Sequence, residues 1–78
     1  MMTLRQVAAA LGESTRRPRG WVLLGAPHEG FGRALRFDGA ALVAWCEAGA
    51  HDAGVAGNSE GAAVWRNYAN RLRIPVSA

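Results

Sequence analysis

Six side chains in the first half of this chain have the type and spacing to hold an anion. Arg16, Arg17 and Arg19 crowd into the stretch 14–25, STRRPRGWVLLG, and His28, Arg33 and Arg36 follow in 26–37, APHEGFGRALRF. A guanidinium presents its donors in a planar fork that matches two phosphate oxygens or the edge of a guanine. Clustered at the start of a helix, such side chains add to the exposed amides and the positive end of the helix dipole. Thr15 adds a hydroxyl to the same cluster.

The charge of the whole chain repeats this asymmetry. Residues 1–36 carry six arginines against Glu13 and Glu29, a balance of plus four. Residues 37–78 carry three arginines against four carboxylates, a balance of minus one. A positive field concentrated in one half fits a surface that faces double-stranded DNA. All nine of these cations are arginine and none is lysine in a chain rich in alanine and glycine, a bias that a GC-rich genome also produces.

Other chemistries lack their parts. His28, His51 and Cys46 are the only nucleophile, base or soft-ligand types besides carboxylates, and no second cysteine or zinc-finger spacing accompanies them. GFG at 30–32 has neither the GxGxxG nor the GKS context of a nucleotide loop. Glu13, Glu29 and Asp38 read as turn, loop and cap residues. The sequence thus predicts no enzyme, no metal and no cofactor. Cys46, alone among apolar neighbours, reads as a small buried hydrophobe. The apolar positions are too interrupted for a membrane span, and the N-terminus has no signal-peptide pattern, so a cytoplasmic location is expected.

The elements that must position the arginines follow from local signals. Thr3 and Gln6 have the capping-box spacing, Leu4, Val7, Ala8 and Leu11 fall on one helical face, and Gly12 supplies the stop, which predicts a helix over 4–11. A second helix starts either at Thr15 behind a Ser14 cap, with Pro18 at an awkward fourth position, or at Pro18 itself, and ends at Gly25. Gly20 weakens it and leaves room for helix 1 or for a sugar-phosphate backbone. Pro27 excludes helix in the next stretch, Gly30 and Gly32 allow a tight turn, and 34–37 alternates with Leu35 and Phe37 on one face, which predicts a β-hairpin. Asp38 caps a third helix that Gly49 ends, 50–58 reads as a linker, and Ser59 caps a fourth helix to about Arg73 with Pro75 blocking continuation. In 78 residues only one core fits, and its large side chains are Trp21, Leu23, Leu24, Phe31, Phe37, Leu42, Trp45, Trp65, Tyr68 and Leu72.

The expected fold is mainly α with a small β-hairpin: helix, turn, basic helix and hairpin in the order of a winged helix-turn-helix over 1–49, the linker, and an added C-terminal helix within 59–78. The order LRQVAAALGES, TRRPRGWV, LGAP, FGRALRFD and AALVAWCEA resembles the MerR-like winged helix of phage excisionases and lambdoid small terminase subunits. Trp21, the LGAP turn, the strand ending RFD and Trp45 carry the likeness, which covers a little over half the chain. That resemblance implies major-groove contact by the second helix, phosphate or minor-groove contact by the wing, and DNA bending by cooperating copies. The positions it assigns to DNA are Thr15, Arg16, Arg17 and Arg19, with Arg33 and His28 on the wing. Pro18 departs from the family pattern.

Trp65, Tyr68 and Leu72 form a stripe on the fourth helix with two readings. As core it packs back over helices 1 and 3; as an interface it offers anchors to a second copy or to a phage or host protein. Three functional expectations therefore stand: an excisionase-like regulatory or architectural DNA-binding protein, the DNA-recognition domain of a small terminase subunit, or a protein-binding module on the same scaffold.

Overall fold

A computed structural model describes residues 1–73. In chain order it contains β1 (Met2–Thr3), α1 (Leu4–Leu11), α2 (Arg16–Leu23), β2 (Arg36–Phe37), α3 (Gly39–Val55) and α4 (Ser59–Arg73). The architecture is mainly helical with one small antiparallel two-stranded sheet. Pro75 and the rest of the segment beyond Arg73 lie outside the described residues.

α1 forms where its local signals place it. The Gln6 amide donates to Thr3 Oγ1 at 3.1 Å and the Thr3 amide donates to Gln6 Oε1 at 2.8 Å, a closed capping box. Gly12 ends the helix at φ +69°, where a side chain would be strained. Val7, Ala8 and Leu11 are buried beneath it.

Helix α2 starts at Arg16, between the two expected starts. Pro18 is its third residue, one of the first four whose amides have no partner within the helix, so the missing N–H breaks no bond. The Arg19 amide donates to the Thr15 carbonyl at 3.1 Å. Pro18 is also among the most deeply buried side chains. It belongs to the core, which the sequence did not suggest.

The predicted hairpin is corrected in its pairing. β2 lies against the N-terminal strand, with Met2 opposite Phe37 and Thr3 opposite Arg36. Within the loop only Glu29 and Arg36 pair, exchanging bonds of 2.8 and 2.9 Å, and a single 3-10 turn at Gly32–Ala34 fills the space between them. Leu35 and Phe37 are buried, as their shared face required.

Asp38 caps α3 as expected, accepting from the Ala40 and Ala41 amides at 3.0 and 3.3 Å. The helix then runs through Gly49 to Val55, so most of the predicted 50–58 linker is helix and only Ala56, Gly57 and Asn58 connect α3 to α4. Gly49 is a contact point instead of a stop: a Cβ there would stand 3.1 Å from the Trp65 indole. The cap of α4 moves by one residue, since Asn58 Oδ1 accepts from the Gly61 amide at 2.9 Å. A three-residue connection makes α3 and α4 an antiparallel pair, and the ion pair between Arg73 and Glu47 follows from that arrangement. α4 also reaches α1, where the Arg71 guanidinium donates to the Leu11 carbonyl at the helix C-terminus.

One buried cluster joins these elements, including Val7, Leu11, Trp21, Phe37, Leu42, Cys46, Tyr68 and Leu72. Of the expected core residues, Trp45 and Trp65 are half-buried against this cluster and three others lie outside it. Leu23 is 88 %, Leu24 69 % and Phe31 88 % exposed. Trp21 and Pro18 fix which side of α2 faces inward, and that turns Leu23 out; Phe31 projects from its loop.

Candidate nucleic-acid interface

The two buried residues of α2, Pro18 and Trp21, stand three apart and define its inner face. Arg16, Arg19, Gly20 and Leu23 recur at i, i+3, i+4 and i+7 and share the opposite face. Trp21 anchors the helix. Its ring centroid lies 5.4 Å from Trp45, 5.6 Å from Trp65 and 5.4 Å from Tyr68, in tilted and edge-on geometries. Of the stripe that admitted two readings, Tyr68 and Leu72 are buried and Trp65 is half-buried in this cluster.

The arginines sort into two groups. Arg17 is held by the chain itself: its Nε lies 3.6 Å from Glu13 Oε1 and its guanidinium sits 5.8 Å from the Tyr68 ring centroid. Tyr68 donates its hydroxyl to the same Glu13 oxygen at 3.0 Å. Burial, then that hydrogen bond, raises the phenol above its ordinary range. Arg36 is half-buried and donates to the Arg33 and Leu35 carbonyls at 3.0 and 2.8 Å, so it braces the 29–36 loop from inside. Arg16, Arg19 and Arg33 are exposed, and among the described residues no carboxylate pairs with them.

Thr15 is half-buried at the N-cap position, where its side chain caps nothing. His28 is exposed, with Nδ1 2.8 Å from the Ala26 carbonyl. A carbonyl only accepts, so Nδ1 carries the proton when the ring is neutral and Nε2 is left as an acceptor. Arg19, His28 and Arg33 come together around a groove of about 650 Å³ between α2 and the 29–36 loop, and Leu23, Phe31 and Leu35 add its apolar surface. This brings one arginine from each of the two sequence stretches to one place, while Arg16 and Arg17 line the neighbouring groove between α2 and α4. Phe31 is the site residue that sequence reasoning sent to the core, although its two flanking glycines were a visible signal of projection.

Gly20 tests what approaches the outer face. Nothing in the chain lies within 4 Å of a Cβ built there, so the close approach to helix 1 is absent. Gly20→Ala is expected to stabilise the fold by up to about 1 kcal/mol through helix propensity, read as a raised denaturation midpoint. A ligand seated directly on this face would at the same time be bound more weakly by the variant.

Cys46 is fully buried on α3, and burial, helped by the nearby Glu47 carboxylate, pushes its thiol up to about 12 from 9.0. The folded chain therefore keeps a proton that the unfolded chain releases above pH 9, and stability falls as pH rises from 9 toward 12. Tyr68 acts in the same direction at higher pH. Urea midpoints are expected to be level below pH 9 and to drop between pH 9 and 11, while a thiol reagent labels Cys46 only on unfolding; a midpoint that rises with pH would contradict this. Among the described residues no three His, Cys, Asp or Glu side chains group to hold a metal ion, and no helix is long and apolar enough to cross a membrane.

No protein-family model, curated protein or solved structure matches the chain.

Proposed function

We propose that this chain is a small winged helix-turn-helix DNA-binding protein of the excisionase-like or regulatory type, with α1 and α2 as the helix pair and the 29–36 loop as the wing. The observation that carries the reading is the convergence of Arg19 on α2 with Arg33 and His28 on the loop around one groove, with Arg16 further along the same outer face. Two features support it. The four-residue turn between α1 and α2 opens on the left-handed Gly12, in keeping with the short, often glycine-containing turn of a helix-turn-helix. The outer face of α2 also offers cations that no carboxylate among the described residues neutralises. Phosphates of a duplex supply the missing charge.

The test is a fluorescence-anisotropy titration against a mixed-sequence duplex at low and moderate salt. Three or so arginine–phosphate contacts predict a log–log salt slope of roughly −3. Absence of binding at low salt removes the proposal.

A second reading, a protein-binding module, is favoured by one observation. Leu23, Leu24 and Val64 stand exposed beside a groove of about 700 Å³ between α2 and α4, above Trp21, Trp65 and Tyr68. An aromatic floor with an apolar rim suits a side chain from a partner. Failure of the duplex titration would direct attention to that groove.

A further inference from the structure

The 29–36 loop is built to hold an apolar ring in water. Glu29 and Arg36 clamp its base through both backbone bonds, the Ala34 amide donates to the Phe31 carbonyl at 3.1 Å, and the Leu35 amide donates to the Gly32 carbonyl at 3.3 Å. Arg36 ties the Arg33 and Leu35 carbonyls together from within. Leu35 is buried and pins the loop to the core. Gly30 sits at φ +69°, where a Cβ would stand 2.5 Å from the Ala34 carbonyl oxygen, and Gly32 sits at φ +59°. Every one of these restraints fixes the backbone around Phe31, yet the Phe31 side chain is 88 % exposed.

A floppy loop could carry such a ring away from its place; here the clamp holds the backbone of Phe31 outward, and only its own side-chain torsions are left to turn. The groups that share a groove with the ring decide what it suits. They include Arg19, His28 and Arg33, whereas an apolar knob meant for a protein pocket is better served by neutral neighbours that need no desolvation. A flat ring beside two guanidinium groups matches the stacked bases and phosphates of nucleic acid.

We propose that Phe31 is a wedge that enters between adjacent base pairs of a bound duplex, unstacks them and bends the DNA. The inference rests on the DNA-binding reading and goes beyond it by assigning a deformation to one residue. Pyrimidine–purine steps, which unstack most readily, are its natural point of entry. The ring opens the step, and Arg33, two residues on, meets the phosphates that the bend brings closer.

The experiment uses the whole chain and a short mixed-sequence duplex containing TA steps, labelled at its two ends with a fluorescence-transfer pair. Anisotropy on the same samples reports binding separately. Wild type is expected to bind and to raise the transfer signal. Phe31→Ala, which loses no core contact and should melt with the wild type, is expected to weaken binding by about three- to tenfold, keep the salt slope and lose the rise in transfer. Phe31→Met, another apolar wedge, should retain most of that rise. Wild-type binding with no rise, or an equal rise with Phe31→Ala, overturns the wedge while leaving the DNA reading intact. Loss of affinity for a single strand alone, with duplex bending unchanged, also overturns it. No binding by the wild type at low salt removes both.

Discussion

Trp21→Ala is expected to bring this chain close to unfolding at physiological temperature. The side chain is 3 % exposed and touches aromatic rings from both long helices: Trp45 on α3, and Trp65 and Tyr68 on α4. α2 has only one other buried residue, Pro18, so this one indole supplies most of what fastens the basic helix to the rest. Its removal leaves a void that three large rings cannot close without abandoning their mutual edge-on contacts, and such truncations cost about 3–5 kcal/mol. A domain of this size has a total stability of roughly 4–12 kcal/mol. The melting temperature, followed by circular dichroism, should therefore fall by more than about 12 °C. Trp21→Phe keeps an aromatic in the cluster and should lose less than half as much. A Trp21→Ala melt within about 5 °C of wild type would show that α2 is held by something other than this cluster.

The aromatic cluster also marks the boundary of what could be read from the residues alone. Caps and helical spacing act within four or five residues, which is why Thr3, Gln6, Gly12 and Asp38 gave α1 and the start of α3 correctly. Gly49 misled because a glycine in a helical run reads as a stop until one knows that Trp65, sixteen residues later, packs onto it. With that contact the missing Cβ is a packing feature, and α3 gains about two more turns. Between Asn58 and Ser59 the sequence offers two good caps in succession; the left-handed Gly57, at φ +80°, sets the chain so that Asn58 takes the role. The strand at 36–37 was visible, but its partner at 2–3 lies ahead of both α1 and α2. Direction is the hardest property to read. Leu23 and Phe31 have the size and apolarity of core residues, and only the placement of Trp21 and the rigid turn between two left-handed glycines aim them outward. For the arginines the sequence marked the two stretches that carry them, while Glu13, Tyr68 and the loop carbonyls, which divide them into braced and exposed members, act across the fold.

That division yields the second large effect. Arg16→Ala combined with Arg19→Ala is expected to reduce duplex affinity by at least about thirtyfold at moderate salt and to flatten the salt slope by about two. The two guanidinium groups stand one helical turn apart on the exposed face of α2, and neither has a carboxylate partner among the described residues. Removing them therefore leaves no buried group unpaired, and stability should stay within about 0.5 kcal/mol of wild type. Arg17→Ala is the informative contrast. It breaks the contact with Glu13 and the placement over the Tyr68 ring, a half-exposed arrangement worth about 0.5 kcal/mol, so it should lower the melting temperature slightly and weaken binding less than either neighbour. The order of the three substitutions then reads the orientation of the helix directly. Arg19 dominant places the duplex across the groove shared with Arg33; Arg16 and Arg17, which both line the groove against α4, dominant together would rotate it toward the exposed Leu24 and Val64, and the groove between α2 and the loop would no longer be the binding face.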